Sequence, residues 1–233
     1  FREGIFFHIK RILNLHYTNR LTDNQKKWVH RLIPRKTRFR LLILKSRLKT
    51  PFFIGSKMTC NVCGLTFRKM EAYGNDKRPN AKCPNCLSLE RTRVLWLFLT
   101  KNIFPTLNDG AHVLHFAPEL GIKKRMQKMK NIRYINADID PLFADSVMDI
   151  TDIPSGKEDF DLIICSHVLG HVPDEPKAIS EMCRVLKPGG IALIMSLVNE
   201  NLENTYENSN VCSASDRLLH YTENNLVRLH GRD

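Results

Sequence analysis

The sequence predicts an α/β protein: a parallel sheet with helices on both faces, preceded by a small metal-binding module and a basic helical segment. Three observations carry that reading. Asp161-Leu-Ile-Ile-Cys-Ser166 and Ile191–Leu197 are short apolar runs of the kind that form buried parallel strands, and between them Ala178, Ile179, Met182, Val185 and Leu186 recur at helical spacing. Strand, crossover helix and strand make one βαβ unit, the connection that parallel strands need. Upstream, His112–Phe116 and Arg133–Asp138 read as two further strands, separated by a loop at Ala117–Gly121 and a helix over Ile122–Lys130. Finally, two Cys-x-x-Cys pairs stand close together before the first strand. The 233 residues are 42% hydrophobic, enough for one full domain and a smaller module. They divide as a basic helical extension (1–50), a zinc-ribbon-like module (51–88) and an α/β domain (89–233).

The charge belongs to the first of these. Residues 1–50 hold 14 Lys/Arg against 2 Asp/Glu, whereas residues 51–233 hold 22 of each. The net charge of +12 therefore sits in the extension, and the neutral body argues against a broad nucleic-acid-binding face built into it. In the extension Ile5, Ile9, Ile12, Leu13 and His16 share one helical face, a second helix starts near Thr22-Asp23 and is interrupted at Pro34, and a third, Arg35–Leu48, mixes Phe39, Leu41, Leu42, Leu44 and Leu48 with six Arg/Lys. Basic amphipathic helices suit anionic membranes or phosphate surfaces. The plainer reading is a helical extension packed on the main domain or on a partner subunit. The longest apolar runs, Val94–Leu99 and Ile191–Val198, are far too short to cross a bilayer, so no transmembrane segment is expected. No signal peptide is legible, and the start at Phe1 suggests a natural N-terminus further upstream.

Cys60-Asn-Val-Cys63 and Cys83-Pro-Asn-Cys86 are separated by 19 residues. Each pair can form a tight turn that aims two thiolates at one metal, and the spacing is that of a zinc ribbon. Cys60, Cys63, Cys83 and Cys86 are the expected ligands of a structural Zn2+, since four Cys leave no open position for a catalytic water. Iron–sulfur or a redox dithiol is the alternative. The other cysteines, Cys165, Cys183 and Cys212, are scattered, which fits a reducing compartment and a cytoplasmic location better than a disulfide framework. Ser88 is placed to cap the next helix with Glu90 in its first turn, and Val94 to Phe98 make that helix apolar on most sides, so burial against the sheet is expected.

The run from Asp149 to Leu197 resembles the second half of class I S-adenosylmethionine-dependent methyltransferases. The matching residues are Asp149, Pro154, Phe160-Asp161, His167-Val168-Leu169-Gly170-His171 and Arg184-Val185-Leu186-Lys187-Pro188-Gly189-Gly190. Gly170 departs from the family's usual Glu. Val113-Leu-His-Phe-Ala-Pro-Glu119 is similar to the cofactor loop of a bacterial group that also carries a Cys-x-x-Cys…Cys-Pro-x-Cys module and Ser-Leu-Glu-Arg, as at Ser88–Arg91. The resemblance covers about residues 58–233 and implies a Rossmann-like sheet, S-adenosylmethionine as cofactor and methyl transfer as activity. It places the cofactor against His115, Ala117, Glu119 and Gly121, where most members have an acidic residue and a Gly-x-Gly-x-Gly loop. It assigns the ribose to Asp138, with Asp140 as fallback, adenine to Asp149 and Ile150, and adds Ser166 at the fourth strand's end. An acidic solvent loop is the alternative for Asp149-Ile150.

His167 and His171 follow that fourth strand, where either could take a proton from the acceptor. The competing reading is that both shape the turn and bond backbone groups. Asp174 and Glu175 read as helix-start residues. The polar stretch after Leu197 suits a substrate lid, and it leaves no room for both antiparallel strands that close a complete fold, so incomplete C-terminal strands or a fragment are expected. The acceptor implied is a small molecule or a glycan-type precursor. An RNA methyltransferase using the zinc module and basic arm, and a catalytically degenerate fold, are the alternatives. The missing Gly-rich fingerprint disfavours an NAD enzyme.

Overall fold

A computed structural model describes residues 34–74 and 76–233. The two helices expected before Pro34 lie outside these residues. The third is α1 (Arg35–Lys49). Four short strands follow: β1 (Ile54–Thr59), β2 (Thr66–Phe67), β3 (Glu71–Tyr73) and β4 (Arg78–Lys82). They pair as two antiparallel ribbons, β1 with β2 and β3 with β4. The α/β body contains α2 (Glu90–Phe98), β5 (Ala111–Phe116), α3 (Leu120–Met126), β6 (Ile132–Asp138), β7 (Ser146–Val147), β8 (Phe160–Ser166), α4 (Glu175–Val185) and β9 (Leu186–Met195).

The main sheet has the order β7-β6-β5-β8-β9, and every pair in it is parallel. Chain direction across the sheet therefore reverses between β5 and β8. In open α/β sheets the crevice at that reversal, outside the carboxyl ends of the strands, is where ligands bind. Both faces are covered, and alternation along the strands assigns each side chain. Val113, Leu162 and Ile164 join Leu95, Trp96, Ile122 and Met126 of α2 and α3 on one face. Leu114, Phe116, Ile163 and Cys165 join Ala178, Met182 and Val185 of α4 on the other. Burial pushes the Cys165 thiol up to about 12, so it packs as an inert apolar residue.

Three local expectations are corrected. Ser88 does not cap α2: Leu89 occupies the N-cap with no side-chain bond, and the buried Ser88 hydroxyl instead accepts from Cys86 Sγ at 3.1 Å. Helix α2 is buried on one side only. Leu95 and Trp96 face the core, while Val94, Leu97 and Phe98 are exposed, because one sheet face cannot cover a helix all round. Finally, β9 begins at Leu186, before the Lys-Pro-Gly-Gly turn, and a register irregularity between Phe160 and Leu162 absorbs that turn. No residue of β9 is fully buried, and Ile194 is 42% exposed, because β9 is the sheet's edge. Asp174 does cap α4, its carboxylate accepting from Lys177 N at 3.0 Å, a contact worth about 1 kcal/mol.

Beyond β9 the chain forms a small satellite: β10 (Tyr206–Glu207), α5 (Ala214–Tyr221) and β11 (Arg228–Leu229), around Val211, Tyr221 and Leu226. β10 and β11 pair with each other, and among the described residues no antiparallel strand joins the main sheet. No helix among them is long and apolar enough to cross a membrane.

Candidate functional site

The two Cys-x-x-Cys turns are built alike. Cys60 N donates to Leu65 O and Gly64 N to Cys60 O; Cys83 N donates to Ser88 O and Leu87 N to Cys83 O. In each turn the fourth residue after the first cysteine lies in the left-handed region, Gly64 at φ +80° and Leu87 at φ +65°. The turns bring all four sulfurs within 4.8 Å of one another, with Cys60–Cys86 at 3.7 Å and Cys63–Cys83 at 3.8 Å. A tetrahedral zinc with Zn–S near 2.3 Å needs sulfur–sulfur edges of about 3.8 Å. The donor set and its spacing thus fit zinc, and the separation is nearly twice a disulfide's ~2.05 Å.

The module is seated on the body. Gly121, in the first turn of α3, lies against both Cys turns: a Cβ there would meet the Ser88 hydroxyl and come within 3.0 Å of Val62 Cγ1. Arg125 Nε, one turn on, donates to Val62 O. Helix α1 crosses the other side. Ser46 and Thr50 both donate to Pro84 O, Phe39 meets Phe143 edge-on at 5.6 Å, and Arg35 pairs with the buried Asp140.

Between these parts lies a cleft at the β5/β8 reversal. Ala117 to Gly121 form one wall, Asp138, Leu142 and Phe143 a second, Ser166 and His167 a third, and Phe39, Leu87, Ser88, Leu89, Arg91 and Thr92 the roof. Of the residues singled out in the sequence, Ala117, Glu119, Gly121, Asp138, Ser166 and His167 line it, together with Cys86. His115 lies beneath, fully buried, with Nε2 3.2 Å from Glu119 Oε2 and Nδ1 3.0 Å from the Tyr134 hydroxyl. Ser166 Oγ donates to Glu119 Oε1 at 3.0 Å. Burial alone would push the Glu119 carboxyl up, but the hydrogen bond and charge of His115, with help from Ser166, hold it below the usual range. Burial and the charge of Glu119 push the Tyr134 phenol up, so its proton stays on.

Asp138 Oδ1 accepts from Asp140 N at 2.9 Å, and Asp140 faces Arg35. That leaves Asp138, rather than the fallback Asp140, on the cleft. Asp149 and Ile150 do not line it: the Asp149 carboxylate accepts from Thr151 N and Oγ1, both at 2.8 Å, and Ile150 is buried in the core. His167 has φ +55° and donates its N–H to Met195 O at 2.7 Å, which ties the β8 end to β9. His171 lies off the cleft, its Nδ1 3.2 Å from Asn225 O.

Ala117 stands at φ +47°, a left-handed conformation that costs a non-glycine residue roughly 1–2 kcal/mol. Ala117→Gly relieves this but gives back part through the freer unfolded chain. We expect a net gain of up to about 1 kcal/mol in urea unfolding.

A second polar cluster escaped the sequence reading. His230 Nδ1 is 2.7 Å from Ser196 Oγ, and its Nε2 is 3.0 Å from Glu175 Oε1. Glu175, expected only to start a helix, also pairs with Arg228, which is 3% exposed and donates to the carbonyls of Leu169, Val172 and Pro173. The cluster joins the C-terminal satellite to the turn after β8. Residues 55 positions apart carry no local signal of such pairing.

Comparison with known proteins bears on the body of the chain. Two proteins named ubiquinone/menaquinone biosynthesis C-methyltransferase UbiE match a third of it. The one from Idiomarina loihiensis is 34% identical over 80 residues, 33% of this chain and 28% of that protein. The one from Francisella tularensis is 37% identical over 79 residues, 33% and 27%. The chain thus spans about a quarter of the length of these curated relatives. Among solved structures, the YcgJ protein from Bacillus subtilis is 18% identical, with a TM-score of 0.41 over 53% of this chain and 57% of that one. The stretch from Glu119 on the cleft wall to Ile194 in β9, residues 119–194, matches the methyltransferase domain family.

Proposed function

We propose that this protein is an S-adenosylmethionine-dependent methyltransferase that acts on a small-molecule or glycan-type acceptor and carries a structural zinc. The observation that supports this most is the position of the cleft. It lies at the sheet's reversal point, between the Ala117–Gly121 loop and Asp138, and its Glu119 wall opens the stretch that matches methyltransferase domains. The cofactor would supply an electrophilic methyl group. The chain's own residues bind and orient. Asp138, at the end of β6, would offer a carboxylate to paired hydroxyls of a ribose, and the Ala117 loop, which lines the same cleft, would hold the ligand from the other side. Holding two reactants in line lowers such barriers by ~7–11 kcal/mol in favourable cases, so positioning is the largest task. His167 lines the cleft, where it would take a proton from an acceptor that must lose one. The four cysteine sulfurs form a closed set with no position for a reacting water, so the zinc would hold the module and the roof of the cleft.

Gly170, where the resemblance leads one to expect Glu, has a structural reason that does not require lost activity. A Cβ there would come within 2.9 Å of Leu226 Cδ2 in the satellite. Calorimetric titration with S-adenosylhomocysteine tests the reading. Binding in the micromolar range is expected, and Asp138→Ala should weaken it at least tenfold, about 1.4 kcal/mol. A folded, zinc-loaded protein that does not bind the ligand would refute it.

A further inference from the structure

The cleft is acidic on one side and basic on the other. Glu119 and Asp138 line it from the sheet. Lys82 and Arg91 line it from the roof, and among the described residues no Asp or Glu does so there. Lys123, the third cation on the lining, is paired with Asp145 at 2.8 Å. The roof comes from α1, the zinc module and α2, all outside the residues that match methyltransferase domains. It is what this chain adds to that domain, and its charge has to be explained by what it meets.

Lys82, the last residue of β4, is 6% exposed, and its Nζ is 2.7 Å from Glu71 Oε2. Lys49 Nζ is 3.8 Å from Glu71 Oε1. Two cations thus share one carboxylate, and the group keeps a net positive charge. Arg91 stands in the first turn of α2. That turn has no side-chain cap, since Leu89 holds the N-cap, so the positive end of the helix is left open. Thr92 is 3% exposed and lines the cleft, and its hydroxyl makes no hydrogen bond among the described residues. Such a hydroxyl costs free energy unless a ligand supplies the partner. A guanidinium fork, a hydroxyl and a helix N-terminus on one wall suit an anion. The zinc site does not use these cations. Four thiolates around one Zn2+ leave two negative charges. The guanidinium groups that bond the Cys module are those of Arg93, to the carbonyls of Asn80, Ala81 and Ser88, and of Arg125, to Val62.

Resting on the reading that the cleft holds S-adenosylmethionine, we propose that the roof is the acceptor subsite and takes a phosphate or carboxylate group of the small molecule to be methylated. Arg91 and Thr92, with the first turn of α2, hold that group, and Lys82 adds its charge. The cofactor carries one net positive charge, so the acidic side of the cleft suits it and the roof's charge is left for the second reactant.

Calorimetric titration of the zinc-loaded protein, saturated with S-adenosylhomocysteine, tests this with phenyl phosphate, benzoate and neutral benzamide as probes. At least one of the two anions should bind about tenfold or more tighter than benzamide, and the tighter one names the group. Arg91→Gln should remove most of that preference, on the order of tenfold, and leave zinc content unchanged and S-adenosylhomocysteine affinity within about twofold. Arg91→Lys, which keeps the charge and loses the fork, should lose less. Thr92→Val should weaken the preferred anion by about threefold to tenfold and leave benzamide as it was. Equal affinity for the anions and benzamide would overturn the proposal. So would an Arg91→Gln protein that keeps the preference, or one that loses S-adenosylhomocysteine instead, which would give Arg91 to the cofactor. A wild-type protein that binds S-adenosylhomocysteine and prefers no anion fails the acceptor subsite alone. One that does not bind S-adenosylhomocysteine fails the cofactor reading, and the acceptor assignment falls with it.

Discussion

Cys83→Ser is expected to abolish stoichiometric zinc, unfold the segment from Ile54 to Ser88 and cost most of the affinity for S-adenosylhomocysteine. The first two effects follow from size. The segment buries Cys60, Val62, Phe67, Met70, Ala81 and Cys83, and little else that is apolar. A core of that kind does not fold some thirty-five residues against the entropy of ordering them, roughly 1–2 kcal/mol each for the backbone. Structural zinc sites in comparably small peptides contribute about 10–16 kcal/mol, which makes the metal the largest single term. The third effect follows from the seat. Val62 and Ser88 pack on Gly121, Arg125 donates to Val62 O, and Pro84 O receives Ser46 and Thr50 of α1. Loss of the Cys turns therefore frees the first turn of α3, next to the cleft loop, and the helix that carries Phe39. Zinc content, amide exchange over the segment and ligand titration would be measured on one sample. A metal-free Cys83→Ser protein with native exchange protection and native affinity would show that apolar packing holds the module.

Local patterns made most of the fold legible. Strand alternation and apolar runs placed β5, β6 and β8 to within a residue, and the crossover helix fixed β8 and β9 as parallel. The four cysteines were legible from spacing, because two tight turns fully determine where their sulfurs point. Legibility ended where a side chain's role is set by distant segments. Glu119 was visible as a residue in a loop, but its bonds to His115 and Ser166 depend on β5 and β8 being neighbours. Ser88 has the composition of a helix cap, and tertiary packing against Cys86 and Gly121 takes it elsewhere. Asp149 and Ile150 match a motif, yet the described cleft does not reach them. Arg35, Phe39 and Thr50 belong to the extension, whose packing on the main domain was the plainer reading, but the residues they would meet were not legible. Their contacts with Asp140, Phe143 and Pro84 appear only once β6 and the second Cys turn are placed in space.

Arg228→Met should lower stability by about 3–5 kcal/mol, the range for removing one partner of a buried ion pair. Arg228 is 3% exposed, and its loss leaves Glu175, Glu207 and the carbonyls of Leu169, Val172 and Pro173 short of a donor. Against a typical total of 5–15 kcal/mol, that is enough to release the satellite while the sheet stays folded. Partial proteolysis should then cut between Val198 and Arg228 and spare the sheet. Gly170→Glu should release the same segment by another route, since Gly170 is buried against Leu226 and a Glu there would put a charged side chain into that contact. The two changes act on one docking event, so their costs cannot add. Once either has freed the satellite, the other has little left to break, and the double variant should unfold within about 1 kcal/mol of the weaker single variant. Full additivity would mean that Arg228 braces the turn after β8 directly, through its three carbonyl bonds, and not through the satellite.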